Sequence, residues 1–180
     1  MPLFSFEGLR PRIHASAFVA PTATLVGDVI IEEYASVWYG VVIRADYAPV
    51  IVRRRANVQD NAVIHGPPGL TTDVGEGVTI GHNCVVHGAI LERQCIIANG
   101  SVVLDGATIG SGALVAAGSV VAAGMSIPAG MLAAGSPAAV RRPVKGSGAE
   151  TWVDTNPGAY VELGQRHRRG VAFVDPEEPG

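Results

Sequence analysis

The stretch that decides the fold is "IHASAFVAPTATLVGDVIIEEYASVWYGVVI", Ile13 to Ile43, in which Ile13, Val19, Leu25, Ile31, Val37 and Ile43 recur at every sixth position. A helix cannot use this spacing, because steps of six drift around a 3.6-residue turn and spread the apolar side chains over every face. An ordinary β-sandwich would show alternation and irregular strand spacing rather than a fixed period. Short strands joined by tight corners can use it. Four places after Ile13, Val19 and Ile31 the side chain is small, as Ala17, Ala23 and Ala35. After a short insertion the register resumes at Val52, Val58 and Ile64, breaks at "GPPGLTTD", and returns at Val74, Ile80 and Val86. One residue is then dropped, and the series runs Leu91, Ile97, Val103, Ile109, Val115, Val121 and Ile127. With three strands per coil, about 18 residues close a turn, each aliphatic residue points into a prism-shaped interior, and Gly or Asn serves corners that need positive φ. The expected class is mainly β, a parallel β-helix.

Composition agrees with one domain. The chain has 180 residues, 48% of them hydrophobic, and a formal net charge of −3, which is long enough for one buried core and too short to require two. No apolar run reaches the roughly 18 residues of a membrane span, and "MPLFSFEGLRPRIHAS" lacks the basic-then-apolar order of a signal peptide, so a cytoplasmic location is expected. The acidic balance and the lack of a basic patch with interleaved aromatics argue against nucleic acid as a partner. Cys84 and Cys95 form no CxxC pair and read as small core residues. Residues 1–140 are assigned to the β-helix, and 141–180 to a linker, a helix and a tail on the same domain. Within them "RRPVKGSGAETWVDTNPG" reads as linker, a helix is expected near residues 157–169 with basic residues suited to its C-terminus, and "VAFVDPEEPG" reads as a flexible tail.

The stretch "VIHGPPGLTTDVGEGVTIGHNCVVHG", Val63 to Gly88, holds three of the five histidines. In a strand the neighbour of an inward residue points outward, so Arg44, Gln59, His65 and His87, which follow Ile43, Val58, Ile64 and Val86, are displayed on the outside. If the two insertions leave the three-faced count intact, Arg44, His65 and His87 form a column with neighbours roughly 4.7–4.9 Å apart. Two such imidazoles can lean onto one ion, because zinc–nitrogen distances near 2.0–2.1 Å need ligand atoms only about 3.3 Å apart. His82 lies across a corner on the preceding strand and can point away from the column in its own chain. A lone histidine is more often a surface residue with a hydrogen bond. Three at this spacing, flanked by apolar residues and Gly, favour a metal. His14 and His167 fit no cluster and read as surface residues.

The hexapeptide series, "VWYGVVIRADYAPV", "NVQDNAVIH", "IGHNCVVHG" and "AAGSPAAVRR" together resemble the gamma-class carbonic anhydrases and their relatives, across roughly residues 10 to 165. The resemblance implies a left-handed β-helix with a C-terminal α-helix folded back along it, a homotrimer, and a divalent metal between subunits, either zinc or, alternatively, iron or cobalt. His65 and His87 of one chain and His82 of a neighbour would hold the metal, with carbon dioxide and bicarbonate as substrates. Three imidazoles that leave an open position suit a catalytic rather than a closed structural site.

Arg44 and Asp46, with Asp60, are then placed at the subunit interface, the first two as a pair across the seam. Gln59 would position water or bicarbonate. Asn57 and Asp60 would serve corner turns or hydrogen-bond the site, corner duty being preferred for Asn57. Tyr160, in "AYVELGQRH", matches a tyrosine that relatives place near the metal. Gln59, Asn57 and Tyr160 are therefore the catalytic candidates. Two departures from the family bear on rate. The loop "GPPGLTTD" has no glutamate, and Tyr47 stands where the prototype has a second active-site glutamate, so proton export is expected to be slow. The alternatives are a non-catalytic, metal-stabilised trimeric scaffold or small-molecule or acyl-carrier binding module, and a hexapeptide acyltransferase using one histidine as general base beside a coenzyme A cleft.

Overall fold

The sixfold aliphatic series is the core: Leu25, Ile31, Val37, Ile43, Val52, Val58, Ile64 and their successors to Ile127 are each at most 1% exposed. Burying one such side chain is worth about 1.5–3 kcal/mol, so the interior column supplies the main driving force of the fold. The small residues four places on are buried at the corners, among them Ala23, Ala56, Ala62, Cys84, Cys95 and Ala107 at 0% exposure. The computed structural model describes residues 1–174. They form a parallel β-helix followed by one α-helix, Glu150–Gly170.

The coils stack into three faces. The first carries the opening halves of Thr24–Ile31 and Val42–Val52, then Val63–His65, Val85–His87, Val102–Val103 and Val120–Val121. The second carries the closing halves of the two long strands, then Thr72–Val74, Ile90–Leu91, Thr108–Ile109 and Ser126–Ile127. The third is an eight-stranded sheet running from Phe18–Val19 through Asn57–Val58 and Thr79–Ile80 to Met131–Gly135, closed by the antiparallel strand Ala138–Pro143. Pairing is in the register the spacing predicts, with Arg44 opposite His65 and His65 opposite His87. Both insertions leave the corner between the first and second faces and keep the count intact, because Val42 pairs with Val63 before them and Val50 with Thr72 after them. Glycines do occupy many positive-φ corners, but Tyr34, Arg55, Asn61, Asn83 and Gln94 occupy others.

The helix differs from expectation. It begins at Glu150, earlier than the expected residue 157, and contains Pro157. A proline inside a helix cannot bond the carbonyl four residues back, and here that carbonyl, Val153 O, instead accepts from the Gln94 side-chain amide at 3.1 Å. Val153, Pro157 and Gly164 are its buried stripe, and the helix packs on Phe18–Val19, Ser36–Val37 and Asn57–Val58 of the third face. His167 is also not the free surface residue expected. Its ring lies edge-on to Trp38 with centroids 4.8 Å apart, near Phe18 at 5.5 Å, and its Nδ1 is 3.0 Å from the Tyr39 hydroxyl. It anchors the end of the helix. Residues 171–174 are exposed and without regular structure; the rest of the expected tail, residues 175–180, lies outside the described residues. No described helix is long and apolar enough to cross a membrane.

Candidate metal centre

His65 and His87 sit at the ends of adjacent first-face strands, held outward by Ile64 and Val86 inside. Their ring centroids are 4.8 Å apart and His65 Nδ1 faces His87 Nε2 at 2.9 Å. The outer nitrogens are both occupied. His65 Nε2 lies 2.9 Å from Asp46 Oδ1, and His87 Nδ1 is bonded to Asp105 Oδ1. The result is a line of carboxylate, imidazole, imidazole and carboxylate in which the inner nitrogens point at each other. Asp46 also accepts from Arg44 of its own chain. Burial pushes the Asp46 carboxyl up, but the hydrogen bonds from His65 and Arg44 and the arginine's charge outweigh it, and the group is held below the ordinary carboxylate range. The Tyr47 ring stands edge-on to His65 at 6.4 Å and is 69% exposed, so it shades the pair from one side.

Thr72 joins the two histidine segments through the backbone. Its hydroxyl donates to the His65 carbonyl at 2.6 Å and accepts from the Gly88 N–H at 3.0 Å. Thr72 and Asp105 were not among the residues expected from the sequence. Asp105 lies 18 residues after His87, one place off direct register, because the pairing of Val86 with Val103 sets it one coil above Gly88 and not above His87.

His82 does not join the pair in its own chain. It stands beside the positive-φ corner residue Asn83, its Nδ1 is 2.9 Å from Asp60 Oδ2, and its backbone N–H donates to Asn99 Oδ1 at 3.1 Å. Among the described residues of one chain, no three His, Cys, Asp or Glu side chains converge where a metal could sit. Two donors here and one elsewhere form an incomplete set.

The remaining candidates gather around His82. Gln59 points out of the coil as expected, but the helix covers it and leaves it 4% exposed, with its amide donating to Asn57 Oδ1 at 3.0 Å. Asn57 is not a corner residue. It lies in the strand Asn57–Val58, fully buried, and donates to Thr79 Oγ1 at 2.9 Å, while Arg55 and Asn61 take the corners on either side. Gln59, His82 and Tyr160 open onto one cleft of about 540 Å³ between the helix and the third face, with Ile96, Leu114 and Trp152 on its apolar wall. The Tyr160 ring packs edge-on to Trp38 at 5.5 Å; burial, then the negative charge of Asp60, pushes its hydroxyl pKa up. The phenol is thus a neutral hydrogen-bonding group.

Residues 72–105 match the family model described as the hexapeptide repeat of succinyl-transferase. A carbonic anhydrase of Geobacillus kaustophilus is 40% identical over 99 residues, 55% of this chain and 54% of its own length. The chain spans about half the length of the curated relatives it matches. Among solved structures, a Bacillus cereus protein carrying the name acetyltransferase is 37% identical with a TM-score of 0.90, over 92% of this chain and 96% of that one. A hexapeptide transferase family protein of Anaplasma phagocytophilum is 34% identical with a TM-score of 0.86, over 91% and 96% of the two chains.

Proposed function

The chain belongs to the hexapeptide-repeat β-helix family that includes the gamma-class carbonic anhydrase-like proteins, and from that premise we propose that it is a trimeric metalloprotein that hydrates carbon dioxide reversibly. The observation that carries this reading is the pair of inward-facing imidazole nitrogens on His65 and His87 at 2.9 Å. Opening to roughly 3.3 Å would let both bind one zinc ion. The donor chemistry fits, because the outer nitrogens are engaged by carboxylates and the inner ones are directed at a common point. A divalent ion there supplies Lewis acidity that brings the pKa of coordinated water down toward 7.

The third donor is His82 of a neighbouring copy, and the surface beside the pair suits such a copy. Val42, Val63, Val85, Val102 and Val120 are paired in a column two residues before the histidine column, and Val42 and Val63 are 38% and 42% exposed. A threefold seam would cover this apolar strip and set Arg44 at its edge. Gln59 and Tyr160, beside His82, would arrive with the neighbour and orient the small substrate by hydrogen bonds. Asn57 then acts on Gln59 rather than on substrate.

Purified protein should contain about one divalent ion per chain, and His87→Ala should empty it, as measured by elemental analysis. Hydration by the loaded trimer should be detectable and modest, rising with added imidazole buffer, because Tyr47 and "GPPGLTTD" offer no glutamate to export protons. A metal-loaded trimer with no hydration above buffer, and no response to imidazole, would refute the reaction.

A second reading has its own support. The cleft is far larger than carbon dioxide needs, and two relatives that match almost end to end carry transferase names. An acyl group against Ile96, Leu114 and Trp152 would place its carbonyl near His82. Quenching of tryptophan fluorescence by an acyl-coenzyme A, lost in Trp152→Phe and absent with bicarbonate, would favour that reading.

A further inference from the structure

We infer that Asp105 is a positioning residue for the metal centre, holding His87 so that Nε2 and not Nδ1 faces the ion; the inference rests on the three-histidine reading above. The imidazole can rotate about its bond to the strand, and each of its nitrogens is a potential donor. Asp105 removes that choice by accepting from Nδ1–H, which leaves the lone pair on Nε2, the nitrogen that faces His65. Carboxylates that engage the far nitrogen of a ligating histidine fix its tautomer and its orientation. Asp46 stands in the same relation to His65, but it is also tied to Arg44, so Asp105 is the cleaner test.

Three features indicate that this contact is built rather than incidental. Asp105 comes from the next coil and reaches down across Gly88, whose absent side chain leaves the space: a Cβ there would lie 2.9 Å from Asp105 Oδ1 and 2.8 Å from Pro67 Cγ. The Gly106 N–H, next to Asp105, donates to the Gly88 carbonyl at 2.7 Å and fixes the separation of the two coils at this point. Thr72 secures the other side of the same residue through the Gly88 N–H. The His87 and Asp105 side chains are 34% and 47% exposed, and a polar contact so open to solvent adds little to the stability of a fold. Its effect therefore belongs to ring orientation, and a metal titration separates that effect from stability.

The test is cobalt(II) titration of the chelator-stripped full-length protein, followed by visible absorption against a competing chelator, for the wild type, Asp105→Ala, Asp105→Asn and His87→Ala. Asp105→Ala should bind cobalt about 10–100-fold more weakly and with shifted absorption bands, while apoprotein melting and assembly stay as in the wild type. Asp105→Asn should recover most of the affinity, because its amide oxygen can accept the same hydrogen bond. Wild-type affinity in Asp105→Ala, with binding still lost in His87→Ala, would overturn this inference and leave the metal site standing. Equal losses in the Ala and Asn variants, accompanied by a fall in apoprotein melting temperature, would also overturn it, as a purely structural role. A wild-type protein that takes up no cobalt would remove both.

Discussion

Gly88 shows how much of the centre depends on one missing side chain. It holds φ +56°, a left-handed conformation that costs a residue with a Cβ about 1–2 kcal/mol. Its larger effect is local, because the Asp105 carboxylate occupies the space a methyl group would take. Gly88→Ala should therefore lower the melting temperature slightly and reproduce the loss of cobalt affinity expected of Asp105→Ala. A variant with wild-type affinity would mean that the carboxylate can move without consequence. At this scale the sequence revealed what lies along a column. Arg44, His65 and His87 were legible because strand alternation and the coil period both act on nearest neighbours. Asp105 and Thr72 were not, since they reach the site obliquely, one from the coil above and one across an insertion. Nor did spacing reveal the aromatic setting of His167, which comes from the helix folding back onto Phe18 and Trp38.

Among the elements, the strands were readable and the helix boundary was not. Most strand positions repeat a local rule of aliphatic inside, small residue at the corner, and the aliphatic half holds throughout the core from Leu25 to Ile127. The helix start depends on a contact 59 residues distant, the Gln94 amide that takes the carbonyl Pro157 leaves unbonded. "DTNPG" reads as linker until that partner is in place. Gln94→Ala should strand the Val153 carbonyl and cost about 1–3 kcal/mol, the price of an unsatisfied buried acceptor. Hydrogen exchange would show it as faster opening of Glu150–Gly170 with the β-helix unaffected. Unchanged protection across the helix would indicate that water serves the carbonyl as well as Gln94 does.

For the whole molecule, the decisive feature is division. One chain supplies His65 and His87 at one place and His82, Gln59 and Tyr160 at another, and the proposed trimer joins the two halves across an apolar seam. Heterologous contacts of this kind close into a ring, and each seam combines one half-site from each of two neighbours. His82→Ala and His87→Ala each damage a different half, so either variant alone should form trimers that hold no metal. The most direct test is to co-express the two in equal amounts, purify the mixed trimers and measure bound metal. Random assortment completes about one quarter of the seams, and the account predicts metal at about that fraction of the wild-type content. A mixture that forms trimers and stays empty while wild type loads, or either variant alone holding full metal, would contradict the shared site.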